Sequence, residues 1–268
     1  MNVPSLSYKG QELLYFDAIQ MQKGALRGAP ILFPTPNRIR DNVFLFNGKR
    51  SQAIMHGQAR RNPFTFVKAK VDDTSCMITG NLVLGCDAVP YDYPSDLSVT
   101  ITVTQKSVSW NYTVTNKAER PLGYGFAIHP LFLKKEGMKI VSDVSYAMEA
   151  DSDLLPTGKL IPVASTADDF SEGKTVFDLS LDKVFTSLGN AVKSQIRYSD
   201  FTLSIEGSEQ FTHTVVYTRQ ELPYVCLEPQ SCSTDCHNLY ERGYGKESGL
   251  TIVRGGEQDC GRITFYFS

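Results

Sequence analysis

The chain of 268 residues lacks several features that would assign it to a well-defined class of protein. No apolar run approaches the roughly 18 residues of a transmembrane helix, and no long stretch repeats with the 3.6-residue period of an amphipathic helix. Lys and Arg number 27 against 29 Asp and Glu. The resulting net charge of −2 offers no electrostatic attraction for nucleic acid or for an anionic membrane, so we expect neither as a partner.

The N-terminal segment also lacks the basic stretch followed by an apolar stretch that marks a secretory signal peptide. The six cysteines are therefore expected to be reduced thiols, and we expect a cytoplasmic protein. Cys232, Cys236 and His237 lie close together, but their spacing differs from zinc-binding patterns and no second ligand cluster accompanies them. We predict a loop with small side chains there and no metal site.

What the sequence has in abundance is period-two alternation of apolar and polar residues. The runs 97–103 and 108–114 alternate on either side of a turn at 105–107, which predicts a β-hairpin with one buried face that includes Trp110. Similar runs at 196–205, 215–217 and 263–267 predict further strands, and the run 43–46 before Asn47-Gly48 predicts a strand that enters a tight turn. We therefore predict an all-β protein, an antiparallel sandwich or barrel, with a single domain over residues 1–268.

Two dipeptides, His129-Pro130 and Glu228-Pro229, are the first candidates for chemistry. Each follows an apolar run, and we expect each strand to end at the titratable residue and present it beside a loop. Imidazole and carboxylate have ordinary pKa values of about 6.5 and about 4.3, so one can give a proton while the other takes one. Such a combination suits a reaction in which a proton leaves one oxygen of the substrate and another proton arrives on a second oxygen.

Four further segments place polar side chains beside turns or aromatic residues. Arg38 follows a proline-stiffened loop, and arginine is a natural donor of several hydrogen bonds to sugar hydroxyls or to a carboxylate. His56 precedes Gly57, at which a ligand can approach the backbone closely. The segment 155–158 predicts a turn, and Asp182 lies shortly before an aromatic residue.

In combination these motifs resemble those of the aldose 1-epimerase family, the galactose mutarotase-like group. Seven of them occur in the order of the family, and the segment 249–257 also fits its late strand and turn. The motifs are Phe33-Pro34, Asn37-Arg38-Ile39, His56-Gly57 with Ala59-Arg60, the run 126–132, the segment 155–158, Asp182 with Phe185, and Leu227-Glu228-Pro229.

The resemblance implies a large antiparallel β-sandwich with a sugar-binding cleft across one sheet, and a reaction without metal or organic cofactor. It implies that the protein is an isomerase that interconverts the α and β anomers of an aldohexose. Glu228 would be the general base that removes the proton of the anomeric hydroxyl, and His129 the general acid that protonates the ring oxygen. His56 would hydrogen-bond to the sugar near that oxygen, and Arg38 and Asp182 would hold its hydroxyls. The expected partner is a monosaccharide, bound by a monomer or a homodimer.

Two residue assignments stay open in the sequence. Asp178 lies near Asp182 and could take its role, and Arg38 could instead bridge two loops in a buried ion pair. The two other histidines, His213 and His237, are expected to be structural.

The substrate and the class of function also have alternatives. Arg40 with Arg60 and Arg61 could form a positive rim suited to a phosphate, which would make the substrate a hexose 6-phosphate. A second alternative is a non-catalytic carbohydrate-binding protein on the same fold. A third is a glycoside hydrolase that uses the carboxylates of Asp182 and Glu228.

Overall fold

A computed structural model describes residues 1–268, apart from the side chain of Ser165. The strands, in chain order, are β1 (Asn2–Val3), β2 (Ser7–Tyr8), β3 (Gln11–Glu12), β4 (Ala29–Leu32), β5 (Val43–Phe46), β6 (Lys49–Gln52), β7 (Thr65–Val71), β8 (Ser75–Leu84), β9 (Ser95–Thr104), β10 (Ser107–Asn116), β11 (Leu122–Tyr124), β12 (Ala127–Ile128), β13 (Leu131–Leu133), β14 (Lys139–Ser142), β15 (Tyr146–Ala150), β16 (Pro156–Pro162), β17 (Lys174–Thr175), β18 (Leu181–Thr186), β19 (Ser194–Arg197), β20 (Thr202–Gly207), β21 (His213–Thr218), β22 (Tyr224–Gln230), β23 (Thr251–Val253) and β24 (Gln258–Phe267). The helices are α1 (Ala18–Gln22), α2 (Cys236–Glu241) and α3 (Gly245–Ser248), with 3-10 turns at Arg40–Asn42, Val163–Ser165 and Val176–Asp178.

Most of the strands belong to two nine-stranded antiparallel sheets. The first sheet has the order β1-β4-β12-β22-β21-β18-β15-β16, and β13 also pairs with β22. The second has the order β17-β14-β19-β20-β24-β10-β9-β8-β7. The short pairs β2-β3, β5-β6 and β11-β23 lie outside both sheets.

The two sheets are joined by aromatic side chains from their inner faces. Trp110 of β10 is fully buried and packs at 4.8 Å between ring centroids against Phe265 of β24, which in turn meets Phe132 of the first sheet at 5.9 Å. Tyr112 stacks on Phe126 at 3.9 Å. Rings in such contacts contribute both buried area and specific geometry, so they bind the sandwich into one core. The predicted antiparallel β-sandwich and the core position of Trp110 are confirmed.

The predicted hairpins are also present. Strands β9 and β10 pair with Val108 opposite Val103. Every second residue of β10 is buried, and so are Leu97, Val99 and Ile101 of β9, as the alternation indicated, whereas Val103 beside the hairpin turn is exposed. Strands β5 and β6 meet at Asn47 and Gly48, whose φ angles of 49° and 72° suit a two-residue hairpin turn.

Two local predictions were wrong. The segment 155–158 is not a turn: the turn lies at 151–155, where the Asp151 carboxylate accepts hydrogen bonds from the backbone, and Pro156 begins β16. That strand lies at the edge of its sheet, where a residue without an N–H is tolerated. The second error concerns Cys236, which begins helix α2 rather than lying in a loop. In the part of the chain that the structure describes, no helix has the length and apolarity to span a bilayer.

Candidate active site

The central feature of the site is a cross-strand pair formed by His129 and Glu228. Strand β22 faces β12 with Ala127 opposite Gln230 and faces β13 with Leu131 opposite Cys226. The register is therefore the same on both sides of the break between β12 and β13, and it puts His129 directly opposite Glu228. The fold thus explains how two residues far apart in sequence come together.

The backbone around this pair allows the two side chains to approach closely. The His129 N–H donates to the Pro30 carbonyl of β4 at 3.0 Å, so it points away from Glu228. Opposite residues whose N–H groups point apart form the non-hydrogen-bonded kind of antiparallel pair, in which the side chains are closest. The prolines 130 and 229 flank the pair, opposite Leu227 and Ile128, and each lacks an N–H that would otherwise bond to the other strand.

This arrangement corrects the prediction that both strands end at the titratable residue. His129 does follow the end of β12, but Glu228 and Pro229 lie inside β22, which continues to Gln230. A proline fits inside this central strand because Ile128, opposite Pro229, is the last residue of β12, so the neighbouring strand is interrupted directly after it. Glu228 therefore projects from the surface of the sheet rather than from a loop.

The His129–Glu228 pair is buried and its atoms are in contact. His129 Nε2 lies 3.2 Å from Glu228 Oε1, and the side chains are 9% and 3% exposed. The Gln230 amide donates to Glu228 Oε2 at 3.0 Å. Burial raises the pKa of Glu228 to about 8, although the bond from Gln230 opposes this shift, and burial lowers the pKa of His129 to about 4. At neutral pH the pair therefore holds one titratable proton.

An ion pair forms one wall of the site. Arg38 Nη2 lies 2.9 Å from Asp182 Oδ2, and the two side chains are 30% and 23% exposed. Asp182 comes from β18, opposite Tyr217 of β21, and Arg38 comes from the loop after β4. Of the two candidate acids, Asp182 lines the cavity, whereas Asp178 is exposed in a 3-10 turn. Arg38 does form an ion pair, yet it also faces the cavity and can bind a ligand there.

His56 lies against His129 in an unusual backbone conformation. Their ring centroids are 5.3 Å apart. The φ angle of His56 is 66°, in a region that non-glycine residues seldom adopt. Gly57 beside it has a φ angle of 72°, and it lies so close to Phe33 that a Cβ on residue 57 would be 2.3 Å from the Phe33 carbonyl oxygen. Burial is the main cause that lowers the pKa of His56, and the nearby His129 and arginines lower it further. The His56 ring is therefore neutral at neutral pH.

These side chains surround a cavity of about 260 Å³ on one face of the first sheet. Its floor consists of alternate residues of β18, β21 and β22, while the intervening residues of these strands, such as Phe185, Val216 and Leu227, belong to the core. All five predicted site residues line it, and so do residues that the sequence analysis did not propose for the site: Leu26, Arg27, Asn37, Met55, Leu131, Val215, Tyr217, Arg219 and Tyr224. The cavity is slightly smaller than the roughly 300–1,000 Å³ of sites for drug-sized ligands and suits one sugar ring.

The predicted positive rim is only partly present. Arg40 forms ion pairs with Asp151 and Asp153 and does not line this cavity. Arg60 and Arg61 line a neighbouring cavity of about 840 Å³ that shares Leu26 and Arg27 with the first.

The two remaining histidines are held by the fold, as predicted. His213 lies in β21, fully buried, and its ring nitrogens meet the Thr212 hydroxyl at 2.9 Å and the Glu247 carbonyl at 3.0 Å. His237 is also buried, and its Nε2 lies 2.9 Å from the Gly123 carbonyl oxygen.

The β-sandwich with a buried His–Glu pair below a cavity is the arrangement that the predicted resemblance implies, and comparison with known proteins identifies the family. The family model described as aldose 1-epimerase matches residues 2–258. The chain therefore belongs to the aldose 1-epimerase family, and the predicted resemblance is confirmed.

Individual relatives agree with this assignment. A maltose epimerase from Levilactobacillus brevis is 28% identical over 148 residues, which cover 51% of this chain but only 41% of that protein. Among solved structures, a galactose mutarotase-like protein from Clostridium acetobutylicum superposes with a TM-score of 0.86 at 19% identity, over 100% of this chain and 89% of that one. A galactose 1-epimerase from Lactobacillus acidophilus gives a TM-score of 0.79 at 13% identity, over 100% and 88%. At such identities the structural likeness shows the shared fold.

Proposed function

We propose that this protein is an aldose 1-epimerase that interconverts the α and β anomers of an aldohexose by acid/base ring opening and closure. The observation that carries the proposal is the 3.2 Å contact between His129 Nε2 and Glu228 Oε1 at the bottom of a cavity that fits one sugar ring. The anomeric hydroxyl and the ring oxygen of a pyranose are both bonded to C1. Two titratable groups this close together can therefore reach both oxygens at once.

The reaction moves one proton at each oxygen. Glu228 as carboxylate accepts the proton of the C1 hydroxyl while protonated His129 donates to the ring oxygen, and the C1–ring oxygen bond breaks to give the free aldehyde. After rotation about the C1–C2 bond, His129 takes back the proton of the C5 hydroxyl as its oxygen attacks C1 from the other face. Glu228 then returns its proton to the former aldehyde oxygen, which completes the other anomer.

The burial of the pair suits this cycle. The charged form, with Glu228 ionised and His129 protonated, contains the same number of protons as the neutral form, with the proton on Glu228. The raised pKa of Glu228 and the lowered pKa of His129 favour the neutral form in the empty site. That neutral form is also the state of the pair after ring opening, so burial stabilises the enzyme groups at the aldehyde stage. Polar contacts from the bound sugar would favour the charged form that starts the reaction.

The surrounding residues supply orientation. Neutral His56, 5.3 Å from the ring of His129, can donate one hydrogen bond to the sugar without repelling the protonated imidazole. Arg38 and Asp182, held together at 2.9 Å, present a donor and an acceptor in fixed positions to adjacent hydroxyls. Because Asp182 is already engaged by Arg38, it is poorly suited as the second carboxylate of a glycoside hydrolase.

The test is polarimetry of freshly dissolved α-D-glucose and α-D-galactose with wild type, Glu228→Gln and His129→Asn. Each substitution is expected to lower the catalysed rate by about 10²–10⁴-fold, the range that one positioned acid or base contributes. Glu221→Gln, which changes an exposed glutamate, serves as the matched control and is expected to retain full activity.

Sugar binding measured by calorimetry separates the enzyme from a binding protein. An epimerase whose Glu228→Gln variant still binds sugar but no longer accelerates mutarotation supports the proposal. If folded wild type binds sugar without accelerating mutarotation, the non-catalytic alternative is correct. Release of reducing ends from an oligosaccharide would instead favour a hydrolase.

A hexose 6-phosphate is a second candidate substrate, and one observation favours it. The neighbouring cavity is lined by four basic side chains, Lys23, Arg27, Arg60 and Arg61, and its described lining residues include no carboxylate. Arg60 is partly engaged, since its Nη1 donates to the Gly24 carbonyl at 3.3 Å. Because Arg27 also lines the sugar cavity, a phosphate on the sugar could extend from one cavity into the other.

Comparison of kcat/KM for D-glucose and D-glucose 6-phosphate decides between the two substrates. If the phosphate is recognised, Arg61→Gln is expected to lower kcat/KM for the phosphorylated sugar by about 10–100-fold and to leave the free sugar unaffected. Equal effects on both sugars, or a preference for the free sugar in wild type, would remove this candidate.

A further inference from the structure

Directly beneath the floor of the cavity lies a third reactive side chain that the proposed reaction does not use. Cys226 lies two residues before Glu228 in β22, so both side chains project from the same face of the sheet. It stands between Tyr217 of β21 and Leu131 of β13, which both line the cavity. Cys226 itself is fully buried beneath this surface. Burial is the main cause that raises the pKa of the Cys226 thiol, and the charges of Glu228 and Asp182 raise it further. The thiol is therefore neutral and takes no part in proton transfer.

Together with the acid/base pair, Cys226 forms a compact set of metal ligands. One ligand atom from each of His129, Cys226 and Glu228 lies within 4.8 Å of the other two. In a tetrahedral zinc site with its usual bond lengths, neighbouring ligand atoms are about 3.3–3.6 Å apart. The 3.2 Å between His129 Nε2 and Glu228 Oε1 nearly matches such an edge. Because the sulfur is at most 4.8 Å from the other two ligand atoms, side-chain movements of about 1 Å would bring it to the same spacing.

The chemistry of the three donors narrows the choice of cation. A thiolate with an imidazole and a carboxylate is a typical ligand set for a borderline-soft ion such as Zn²⁺, whereas Mg²⁺ and Ca²⁺ prefer oxygen ligands alone. Three protein ligands leave the fourth tetrahedral position free, and two of the ligands, His129 and Glu228, line the cavity. Binding would release the thiol proton and the proton held by the pair to the solvent.

We propose that His129, Cys226 and Glu228 form an inhibitory site for a thiophilic divalent cation of the Zn²⁺ type, which switches the enzyme off by occupying its acid/base pair. The inhibitory role rests on the function proposed above, whereas the metal site itself does not. The ion takes the lone pairs that Glu228 and His129 need for proton transfer. It also occupies the place of the anomeric oxygen, so sugar and metal compete for the site.

Direct metal binding is tested on protein stripped with EDTA and dialysed free of the chelator. Co²⁺ is the probe, because a cobalt–thiolate bond gives a charge-transfer band in the near ultraviolet. Wild type is expected to show this band, and Cys226→Ser is expected to lose it, since a serine hydroxyl is a poor ligand for the ion. Cys260→Ser, which removes an exposed thiol elsewhere, is the control and retains the band. Identical bands in wild type and Cys226→Ser would overturn the proposal, as would the absence of any band in wild type.

Inhibition is tested by adding Zn²⁺ to the mutarotation assay. Half-inhibition of Cys226→Ser is expected to need at least about tenfold more Zn²⁺ than half-inhibition of wild type, because even an outer-shell partner is worth about 10–100-fold in metal affinity. The rate without metal is expected to be the same in both proteins, and saturating sugar is expected to protect wild type. Equal sensitivity of the two proteins would refute the inhibitory site. If Cys226→Ser does not fold, Cys226→Ala takes its place in both tests.

The two experiments separate this inference from the proposed function. A cobalt band that depends on Cys226, in a protein that accelerates no mutarotation, would support the metal site and refute the epimerase. Mutarotation without any band that depends on Cys226 would support the epimerase and refute the metal site.

Discussion

Replacing Glu228 by glutamine is expected to stabilise the protein at alkaline pH, even though it removes a group proposed to be catalytic. Glu228 is 2% exposed, and burial raises its pKa from the ordinary 4.5 to about 8. The folded protein thus holds a proton at neutral pH that the unfolded chain has already released. Stability is therefore lost as the pH rises from about 4.5 to about 8. Glutamine has the shape of the protonated carboxyl group but cannot ionise, so the variant avoids this loss.

The size of the effect follows from the difference between the two pKa values. Each unit of pKa difference corresponds to about 1.4 kcal/mol. The free energy of unfolding of Glu228→Gln relative to wild type therefore rises by up to about 1.4 kcal/mol per pH unit, to a ceiling of about 5 kcal/mol at pH 8 and above. The buried histidines do not obscure the comparison, because wild type and variant both contain them. Burial lowers the pKa values of His129 and His213 to about 4, so above pH 7 they are neutral in the folded and the unfolded protein alike.

The assay is urea unfolding of wild type and Glu228→Gln between pH 5 and 9, with EDTA present to exclude bound metal. The fully buried Trp110, the single tryptophan of the chain, gives a fluorescence signal of unfolding. Glu221→Gln, which changes an exposed side chain, is the control and should follow wild type at every pH. If the difference between Glu228→Gln and wild type stays constant within about 1 kcal/mol over this range, the raised pKa is refuted.

Two further predictions concern catalysis. The mutarotation rate, measured by polarimetry with EDTA present, should be highest where the His129–Glu228 pair holds one proton. It should fall below about pH 4 and above about pH 8. A rate that rises steadily through pH 8 would contradict this prediction. Asp182→Asn should lower kcat/KM by about 10–100-fold through the lost charged hydrogen bonds, while the partly exposed ion pair with Arg38 contributes less than about 1 kcal/mol to stability. Asp178→Asn should change neither kcat/KM nor stability. An equal effect of both substitutions would contradict the assignment of the substrate-binding role to Asp182.

The extent to which the sequence predicts this molecule differs between fold and site. Alternation with period two predicts the hairpin of β9 and β10 because burial on one face imposes that period directly on the sequence. The sequence predicts the turn at 155–158 instead of 151–155, because a proline such as Pro156 is compatible both with a turn and with the start of an edge strand. Only the position of β16 in the sheet, which the local sequence does not contain, decides between them.

The two neighbours of Glu228 on its strand were missed for a related reason. Cys226 and Gln230 flank Glu228 at two-residue spacing in β22, and this spacing on a strand puts all three side chains on one face. The expectation that the strand ends at Glu228 hid this signal, since residues after a strand end have no defined face. Had β22 been extended through Pro229, both neighbours would have been candidates. Tyr217 and Arg27, in contrast, enter the site through strand order and loop packing, which no local pattern indicates.

The dipeptides His129-Pro130 and Glu228-Pro229 together form one structural unit. In the register of β22 with β12 and β13, each proline lies opposite the residue that precedes the other titratable side chain. Both prolines therefore remove hydrogen bonds from the same short stretch of the ladder, and this stretch contains His129 and Glu228. An unbroken ladder would bind the two strands continuously through this stretch. Proline after histidine and proline after glutamate thus have one common effect, a local gap in the sheet at which two buried titratable groups face each other.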